Sequence, residues 1–585
     1  MIEAPPRPRA LQGRRAVWGV AEPVDPALAA QVPETSRMIA HLLFQRGYKS
    51  AEAIRAFLSG PPVEYDPFLM PDMARAVERI RRAAESREKV AVYGDFDCDG
   101  LTAAAILFGA LELLGLEPTV IIPTRDEGHG LRDEHVRTLK DAGVTLVVTT
   151  DCGISDVQPI STARSLGMDV IVTDHHEPAS DGTLPDALVV SATRAGSTYP
   201  FRGLSGAGVA YKVAEALLGR NAAGDFLDLA TLGTIADVVP LVDENRGLVL
   251  RGLDRLRTTP RAGLRALFTV AGVDSRYIDS ASVGYYLGPR INAANRLADP
   301  MTAFQLIVSS DPAEAHQLAQ VLDGHNSTRQ EHVKRAIADA VERIGIPSEV
   351  KSGIAAGVLD PMITVAGDWG PGISGLLASD LVDRYCVPAL AGAQRQDGLI
   401  SVSGRSVAGV NILEILDAAR RARPEVFLGG GGHSGACGFT TSPELLEEAF
   451  VALGSAARGR VPVDDLTATI PVDAQIGLNQ IDMRSLGLVE SLGPYGRAFS
   501  EPVFLSTRVR LSGRRKMGAN GQHLKVTARQ GGTKISAIIF SSDPELVDVL
   551  EEQPVDIVFN LQRDFYDGLV RPQMHIKDWR LHDEG

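Results

Sequence analysis

The sequence predicts an α/β protein of several lobes: a mainly parallel sheet with helices on both faces, a connecting helix to a second α/β unit, and a C-terminal β-barrel. Three observations carry this. Over residues 66–260, short apolar strand-like segments alternate with helical patterns, as parallel sheets require. The run HQLAQVLDGHNSTRQEHVKRAIADAVERI has the polar and apolar faces of one long helix inside 261–345. After about residue 466, β-branched residues alternate between Gly turns. At 585 residues the chain is too long for one core.

Taken in order, residues 1–65 read as an Arg/Pro-rich tail and a helical lead-in. The sheet region follows. Its segments KVAVYGDFDCDG, TLVVTTDCG and DVIVTDHH each run a strand straight into an acidic loop. The first also has the opening spacing of a calcium-binding EF-hand. That loop needs a Glu at its twelfth position, which here is Ile106, and a helix where Val90 to Tyr93 reads as a strand. An extended loop would put Asp95, Asp97 and Asp99 on one face and Phe96 and Cys98 on the other. Gly94 and Gly100 permit its sharp turns, and Leu101 to Leu114 has the content of a buried helix. Asp237 falls just past a second buried helix that Pro240 stops. The connecting helix carries Asn326 and Arg329 on its polar face. A second α/β unit occupies 346–460, a linker is expected near 461–468, and the barrel fills 466–585.

In open α/β sheets the ligand crevice lies outside the carboxyl ends of the strands. Asp95, Asp97, Asp99, Asp151, Asp174, His175 and His176 are therefore expected to converge. Such a cluster repels itself unless cations sit inside it, and carboxylates with an imidazole or two suit Mn²⁺ or Mg²⁺. The implied chemistry is metal-assisted hydrolysis. Four cysteines without CxxC spacing indicate neither a disulfide framework nor a zinc finger, and Cys98 and Cys152 read as packing residues. No apolar run is long enough to span a bilayer and MIEAPPRPRA lacks a signal-peptide core, so a cytoplasmic location and no membrane partner are expected. A formal charge of −14 weighs against nucleic acid as a partner. Metal ions would offset part of it, and Arg508, Arg510, Arg514, Arg515 and Lys516 form a local basic patch.

GDFDCDG, TTDCG, Asp174-His175-His176 and TIADVVPL resemble, in order, the four signature motifs of the DHH phosphoesterase superfamily. GGGGHSGACGF (Gly429 to Phe439) resembles the motif of the accompanying DHHA1 domain. Within the superfamily, HLLFQRGYKSAEAIRAFLSG, DPFLMPDMARAVERI, GPRINAANRL, SGRS, HLKV and AIIF resemble the RecJ-type single-strand DNA exonucleases, so the resemblance covers nearly the whole chain. Two departures stand out. Trp369-Gly370-Pro371-Gly372 replaces a frequent Trp-His-Pro-Gly run, and GPYGRAFSEP lacks the usual Gly-Asn-Pro-like turn. The first puts one DNA or phosphate contact in doubt.

The resemblance implies a 5′-to-3′ exonuclease that hydrolyses single-stranded DNA to mononucleotides in DNA repair and recombination, with two Mn²⁺ or Mg²⁺ ions. Asp97, Asp99, Asp151, His175 and Asp237 are its implied metal ligands, with Asp95 completing a second position and Asp151 bridging. Asp174 would orient an imidazole, and His176 would protonate the leaving oxygen or neutralise phosphate charge. Ser403, Arg405 and Arg125 resemble a pocket for a terminal 5′ phosphate. Gly431, Gly432 and His433 would approach the backbone, and Arg290, Asn292, Asn295, Asn326 and Arg329 would line the strand's path. The barrel is implied to be an OB-fold, with Tyr495, Phe565, Tyr566 and Trp579 as candidate stacking residues. Implied partners are single-stranded DNA with a 5′ end, a single-strand-binding protein and a helicase, acting on a monomer. The alternatives are a DHH-type nanoRNase or 3′,5′-bisphosphate nucleotide phosphatase, whose chains end after the Gly-rich motif, and a non-catalytic DNA-binding scaffold, against which the filled acidic positions speak.

Overall fold

The computed structural model describes residues 9–14, 16–23, 26–179, 181–463, 466–518, 521, 523–540, 553–566 and 569–582. They form two compact units. One joins Met1–Pro61 to Asp465–Tyr495 and Phe499–Gly585, and the other holds Pro62–Asp464 with Gly496–Ala498.

The larger unit is built on five parallel strands: β1 (Val90–Gly94), β2 (Thr119–Ile121), β3 (Leu146–Thr150), β4 (Asp169–Thr173) and β5 (Leu188–Val190), in the order β2-β1-β3-β4-β5. The order reverses between β1 and β3, and at such a switch point two loops leave in opposite directions and open a crevice. Both sheet faces are covered. Val92, Val148 and Ile171 pack with Leu101, Ala104 and Val209, while Tyr93, Val147 and Val172 pack with Val136, Leu139 and Ile160. That two-sided burial is why the strands read as unbroken apolar runs.

Helix α1 (Cys98–Leu113) follows β1. The acidic loop is therefore shorter than the extended segment expected. Asp97 is the N-cap, its carboxylate accepting from the amides of Asp99 at 2.9 Å and Gly100 at 3.1 Å, which is a better use of an Asp than a strand position offers. Cys98 and Asp99 are thus already helical, and the three acids do not share the face of a strand. Leu101, Ile106 and Leu111 of α1 are fully buried, each contributing about 1.5–3 kcal/mol. Helices α2 (Gly206–Leu218) and α3 (Leu227–Ala236) pack on α1, and Asp237 caps the end of α3. Then come α4 (Gly288–Leu297) and the 33-residue α5 (Pro312–Ile344).

Beyond α5, a mixed sheet is formed by β6 (Ile363–Gly367), β7 (Ala389–Gln394), β8 (Ile400–Arg405), β9 (Gly429–His433) and β10 (Ala436–Thr441), in the order β9-β10-β8-β7-β6. Helix α6 (Pro371–Tyr385) packs on it. The glycine run expected to approach a phosphate through its backbone forms the edge strand β9. Gly430 and Gly432 have φ of 146° and 147° there, and a Cβ on either would meet the β10 backbone at 2.5 and 2.3 Å.

In the smaller unit, β11 (Phe504–Met517), β12 (His523–Gln530), β13 (Thr533–Ile539), β14 (Val555–Tyr566) and β15 (Leu569–Leu581) close into a barrel through the β11–β14 pairing. The N-terminal stretch expected as a tail contributes strands Arg9–Gln12 and Ala16–Val20 to this unit. The second runs parallel to Ala468–Val472, and Trp18 donates to Asp578 at 2.9 Å. Residues 464–465 of the expected linker lie outside the described residues.

Gly100 is needed for close approach and not for an unusual φ: a Cβ there would sit 2.5 Å from the Asp95 carbonyl oxygen. Gly100→Ala should therefore cost about 1–3 kcal/mol, as overpacking does. A thermal melt in EDTA reads this as a fall of several degrees, and an unchanged melt would show that the loop can give way.

Candidate active site

The switch-point crevice gathers the acidic residues. His175 Nε2 lies 3.1 Å from Asp151 Oδ1, 3.7 Å from Asp237 Oδ2 and 3.9 Å from Asp99 Oδ2. Three overlapping triads place ligand-type atoms within 4.8 Å of one another: Asp95, Asp97 and Asp151; Asp99, His175 and Asp237; Asp151, His175 and His176. Asp151 belongs to two of them. Its backbone, just past the end of β3, holds a φ of 60°, strain of the kind that persists at functional sites. Glycines leave room for the carboxylates. A Cβ on Gly206 would sit 2.4 Å from Asp151 Oδ1, and one on Gly233 2.4 Å from Asp99 Oδ1. The N-terminal amides of α2, from Gly206 at 2.7 Å and Ala207 at 2.9 Å, clamp Asp99.

Asp174 is differently employed. Its Oδ1 accepts from the amides of His175 at 2.7 Å and His176 at 3.1 Å and from His176 Nδ1 at 2.8 Å, and its Oδ2 accepts from the Ile154 amide at 3.0 Å. Burial pushes this carboxyl up, but these bonds and the two imidazoles overcome it and hold it at about 2. Its neighbours go the other way. Burial and then the charges of Asp95 and Asp99 raise Asp97 to about 6. Burial and then Asp99 raise Asp237 to about 8, and burial with four surrounding aspartates drives Asp151 well above the usual carboxylate range. Asp95 Oδ1 and Asp151 Oδ1 are buried without an aligned donor among the described residues. Buried carboxylates that crowd and repel one another fit hard divalent cations.

Beside the acids stands a second cluster of opposite sign. Arg125 lies over the Phe96 ring at 5.0 Å, donates to Asn295 Oδ1 at 3.2 Å and leaves its buried Nε without an acceptor. Lost solvation lowers Arg125, and its charge environment includes both Asp95 and Arg405. Arg296, which sequence reasoning missed although it lies inside GPRINAANRL, falls to about 9 through lost solvation and then the charges of Arg125, Arg329 and Arg405. Ser403 and Arg405 share one face of β8 by its two-residue period. His433 on β9 is lowered by partial burial, then by the charges of Arg405, Arg497 and His176. His129 was also missed. Its Nδ1 lies 3.0 Å from Asp95 Oδ1 and its ring 4.9 Å from that of His176, and despite partial burial Asp95 holds it up at about 9. Its signal was Gly128-His129-Gly130, two glycines at φ 90° and 97° beside Arg125.

Other residues expected along the strand's path have partners within the protein. Asn292 Oδ1 accepts the Cys98 amide at 2.7 Å, helping to start α1. Arg290 pairs with Asp323 at 2.8 Å, and Asn326, 2 % exposed, accepts from Arg329 at 2.8 Å instead of facing solvent. Gly431 lies on the open side of β9. On the barrel, Trp579 is buried, Tyr495 stacks on Phe499 at 5.8 Å, and Phe565 is 54 % exposed. The side chain of Tyr566 lies outside the described residues.

Family models match along the chain: the DHH family N-terminal domain at residues 89–234, the DHHA1 domain at 354–458 and the RecJ OB domain at 472–578. The single-stranded-DNA-specific exonuclease RecJ of Bacillus subtilis is 35% identical over 93% of this chain and 69% of its own length. The same-named protein of Dickeya dadantii is 30% identical over 95% of this chain and 98% of its own. The chain belongs to the RecJ family. A RecJ crystal structure from Thermus thermophilus with Mn²⁺ superimposes with a TM-score of 0.79 at 27% identity, covering 97% of this chain and 80% of that one. A Mg²⁺ complex from the same source gives 0.73 at 25% identity, covering 97% and 79%. Asp237, just outside the DHH match, still meets the rest of this RecJ-family cluster through His175. No helix among the described residues is long and apolar enough to cross a membrane.

Because Asp97, Asp151 and Asp237 are raised above the ordinary carboxylate value of 3.8, the metal-free folded state holds protons that the unfolded chain releases. The stability this confers is complete below that value and is lost as pH climbs through the folded values, about 6 for Asp97 and about 8 for Asp237. In EDTA, Asp151→Asn should melt above the parent at pH near 8.5, and the gap should close near pH 5. Equal melting at both pH values would mean that the carboxylates do not strain the empty crevice.

Proposed function

We propose that this chain removes nucleotides one at a time from the 5′ end of single-stranded DNA, using Mn²⁺ or Mg²⁺. The carrying observation is the adjacency of two uncompensated clusters, carboxylates awaiting cations and arginines awaiting an anion. Names of relatives and structural neighbours in the RecJ family support the substrate and the metals. Asp95, Asp97, Asp99, Asp151, His175 and Asp237 would hold two ions, with Asp151, common to two triads, as the bridge. Bound there, the ions would activate a water near neutral pH and offset charge on the scissile phosphate.

The protein's own groups do the rest. Arg125, Arg296 and Arg405 with Ser403 grip the terminal 5′ phosphate, for which guanidinium forks are suited. Like-charge repulsion among the arginines is relieved when the phosphate enters. Asp174 accepts from His176 Nδ1, which leaves Nε2 to protonate the departing 3′ oxygen. His129 beside His176 and Asp95 adds positive charge where the phosphate arrives. Strand β11 offers exposed Arg508, Arg510, Arg514, Arg515 and Lys516 to the incoming strand. Single-strand-binding protein and a helicase remain the proposed partners of a monomer.

The test uses strands labelled at either end, with dinucleotides alongside and Mn²⁺ throughout. Mononucleotides should appear from the 5′ end of long single strands, faster for 5′-phosphorylated than 5′-hydroxyl ends, and Arg405→Ala should shrink that ratio. Activity confined to dinucleotides would sink the proposal. For the barrel, replacing Arg510, Arg514 and Arg515 by Ala should weaken binding of long strands and flatten the salt dependence, with the log–log slope falling by roughly 2. A slope equal to the parent's would move the strand off β11.

A further inference from the structure

A cavity of about 930 Å³ opens behind the arginine cluster. Its walls come from the Thr124–Asp126 loop, the end of α4, one side of α5, the start of α6 and the end of β7. Charges of both signs line it: the carboxylates of Asp126 and Asp368 are exposed, whereas two of the cations are partly buried. Arg125 and Arg296, both half-buried, line it, and their hydrogen bonds go to Asn295 and to the Gly372 carbonyl, not to carboxylates. Trp369 lines it too, its indole Nε1 fixed on Asp339 at 2.8 Å and its ring carrying the Arg343 guanidinium at 5.8 Å. The exposed amides of Gln394 and Gln396 complete the rim. A phosphate-binding floor, an aromatic ring held in place and amide groups able to meet a base edge together suit a nucleoside monophosphate, and the volume lies within the roughly 300–1,000 Å³ usual for small-molecule sites.

Arg125 belongs to both places. Its charge environment includes Asp95 and Asp97 of the acidic crevice, and it also lines the cavity. We propose that this cavity is the product site and exit: the freed 5′-mononucleotide passes into it, away from the carboxylates, its phosphate handed from Arg405 to Arg296 while Arg125 keeps hold. This rests on the exonuclease reading above. A nucleotide cut from the end lies ahead of the strand, and backing out past that strand would require the strand to leave. Departure forward lets the strand advance by one nucleotide while it stays bound.

Two substitutions fill the cavity from exposed wall positions: Ala298→Trp and Leu297→Trp. Each should melt like the parent and bind Mn²⁺ like it. In rapid-quench experiments with 5′-phosphorylated oligothymidylate and Mn²⁺, the first nucleotide should be cut at the parent rate and later ones at least about fivefold slower, because a blocked exit delays release and not chemistry. Equilibrium binding of 5′-dTMP to the metal-free protein should be at least about tenfold weaker in both plugged variants, down to what the Arg405 and Ser403 grip alone holds, and about tenfold weaker in Trp369→Ala, the size of one base–aromatic stack. Unchanged later cuts and unchanged dTMP binding would overturn the proposal. So would a first cut slowed as much as the later ones, which would make the cavity part of the catalytic crevice. If the parent released no nucleotides, the exonuclease reading would fail by itself, and dTMP binding would still decide whether the cavity is a mononucleotide site.

Discussion

The mutual repulsion of buried carboxylates at one switch point is the constraint around which the larger unit is arranged. Asp95, Asp97, Asp99, Asp151 and Asp237 crowd one crevice, and three of them hold protons far above the ordinary carboxylate value. A protein tolerates this only where neighbouring structure over-determines the geometry. Here the over-determination is explicit. Asp97 is fixed by α1 amides, Asp99 by α2 amides, and the histidines by their bonds to Asp174. Gly100, Gly206 and Gly233 supply room where any Cβ would collide. Little of the cluster's position is left to its own members.

The arginine cluster is the same problem with the sign reversed. Lost solvation and then the charges of Arg125, Arg329 and Arg405 depress Arg296, so the site suits an anion as the crevice suits cations. The two clusters do not neutralise each other, because the arginines are held back from the carboxylates. Asn295 is one reason. Its Oδ1 takes Arg125 at 3.2 Å and its Nδ2 donates to the Phe96 carbonyl at 3.0 Å, so it ties the guanidinium to the backbone of the acidic loop, not to its carboxylates. Phe96 beneath the guanidinium holds it flat. The separation keeps both clusters reactive.

Much of this was legible in the sequence because strand periodicity and strand-end chemistry are local. β1, β3 and β4 with their terminal acids could be read from runs such as LVVTT, and the buried end of α3 from LATLGTIADVVP. What escaped was non-local or depended on caps. The extended reading of DFDCDG failed because an Asp two residues before another can cap a helix, and the alternation of acids looks the same either way. Asn292 and Arg290 were read along the strand's path without the partners that other elements bring to them, and Asn326 without its bond to Arg329 on the same helix, because such partners do not show in the spacing of polar residues. His129 and Arg296 gained their meaning only when their neighbours were in place. The N-terminal strands pair with each other, but they were missed because the strand that anchors the second lies more than four hundred residues away.

The net charge of −14 is a poor guide to the partner of such a molecule. A sum over the surface counts the crevice carboxylates as full negative charges, although Asp151 and Asp237 are raised above the ordinary carboxylate value without metal and would meet cations with it. It also hides the exposed β11 cations and the arginines around Arg296 within a larger acidic total. Fields near a surface fall off within about 10 Å at ordinary salt, so a phosphate backbone responds to the charges it can reach and not to the sum. An acidic exterior then acts as a filter, disfavouring phosphates everywhere except where cations are concentrated. In the larger unit that place is the arginine cluster, and a terminal phosphate, which carries more charge than an internal diester, gains most from reaching it.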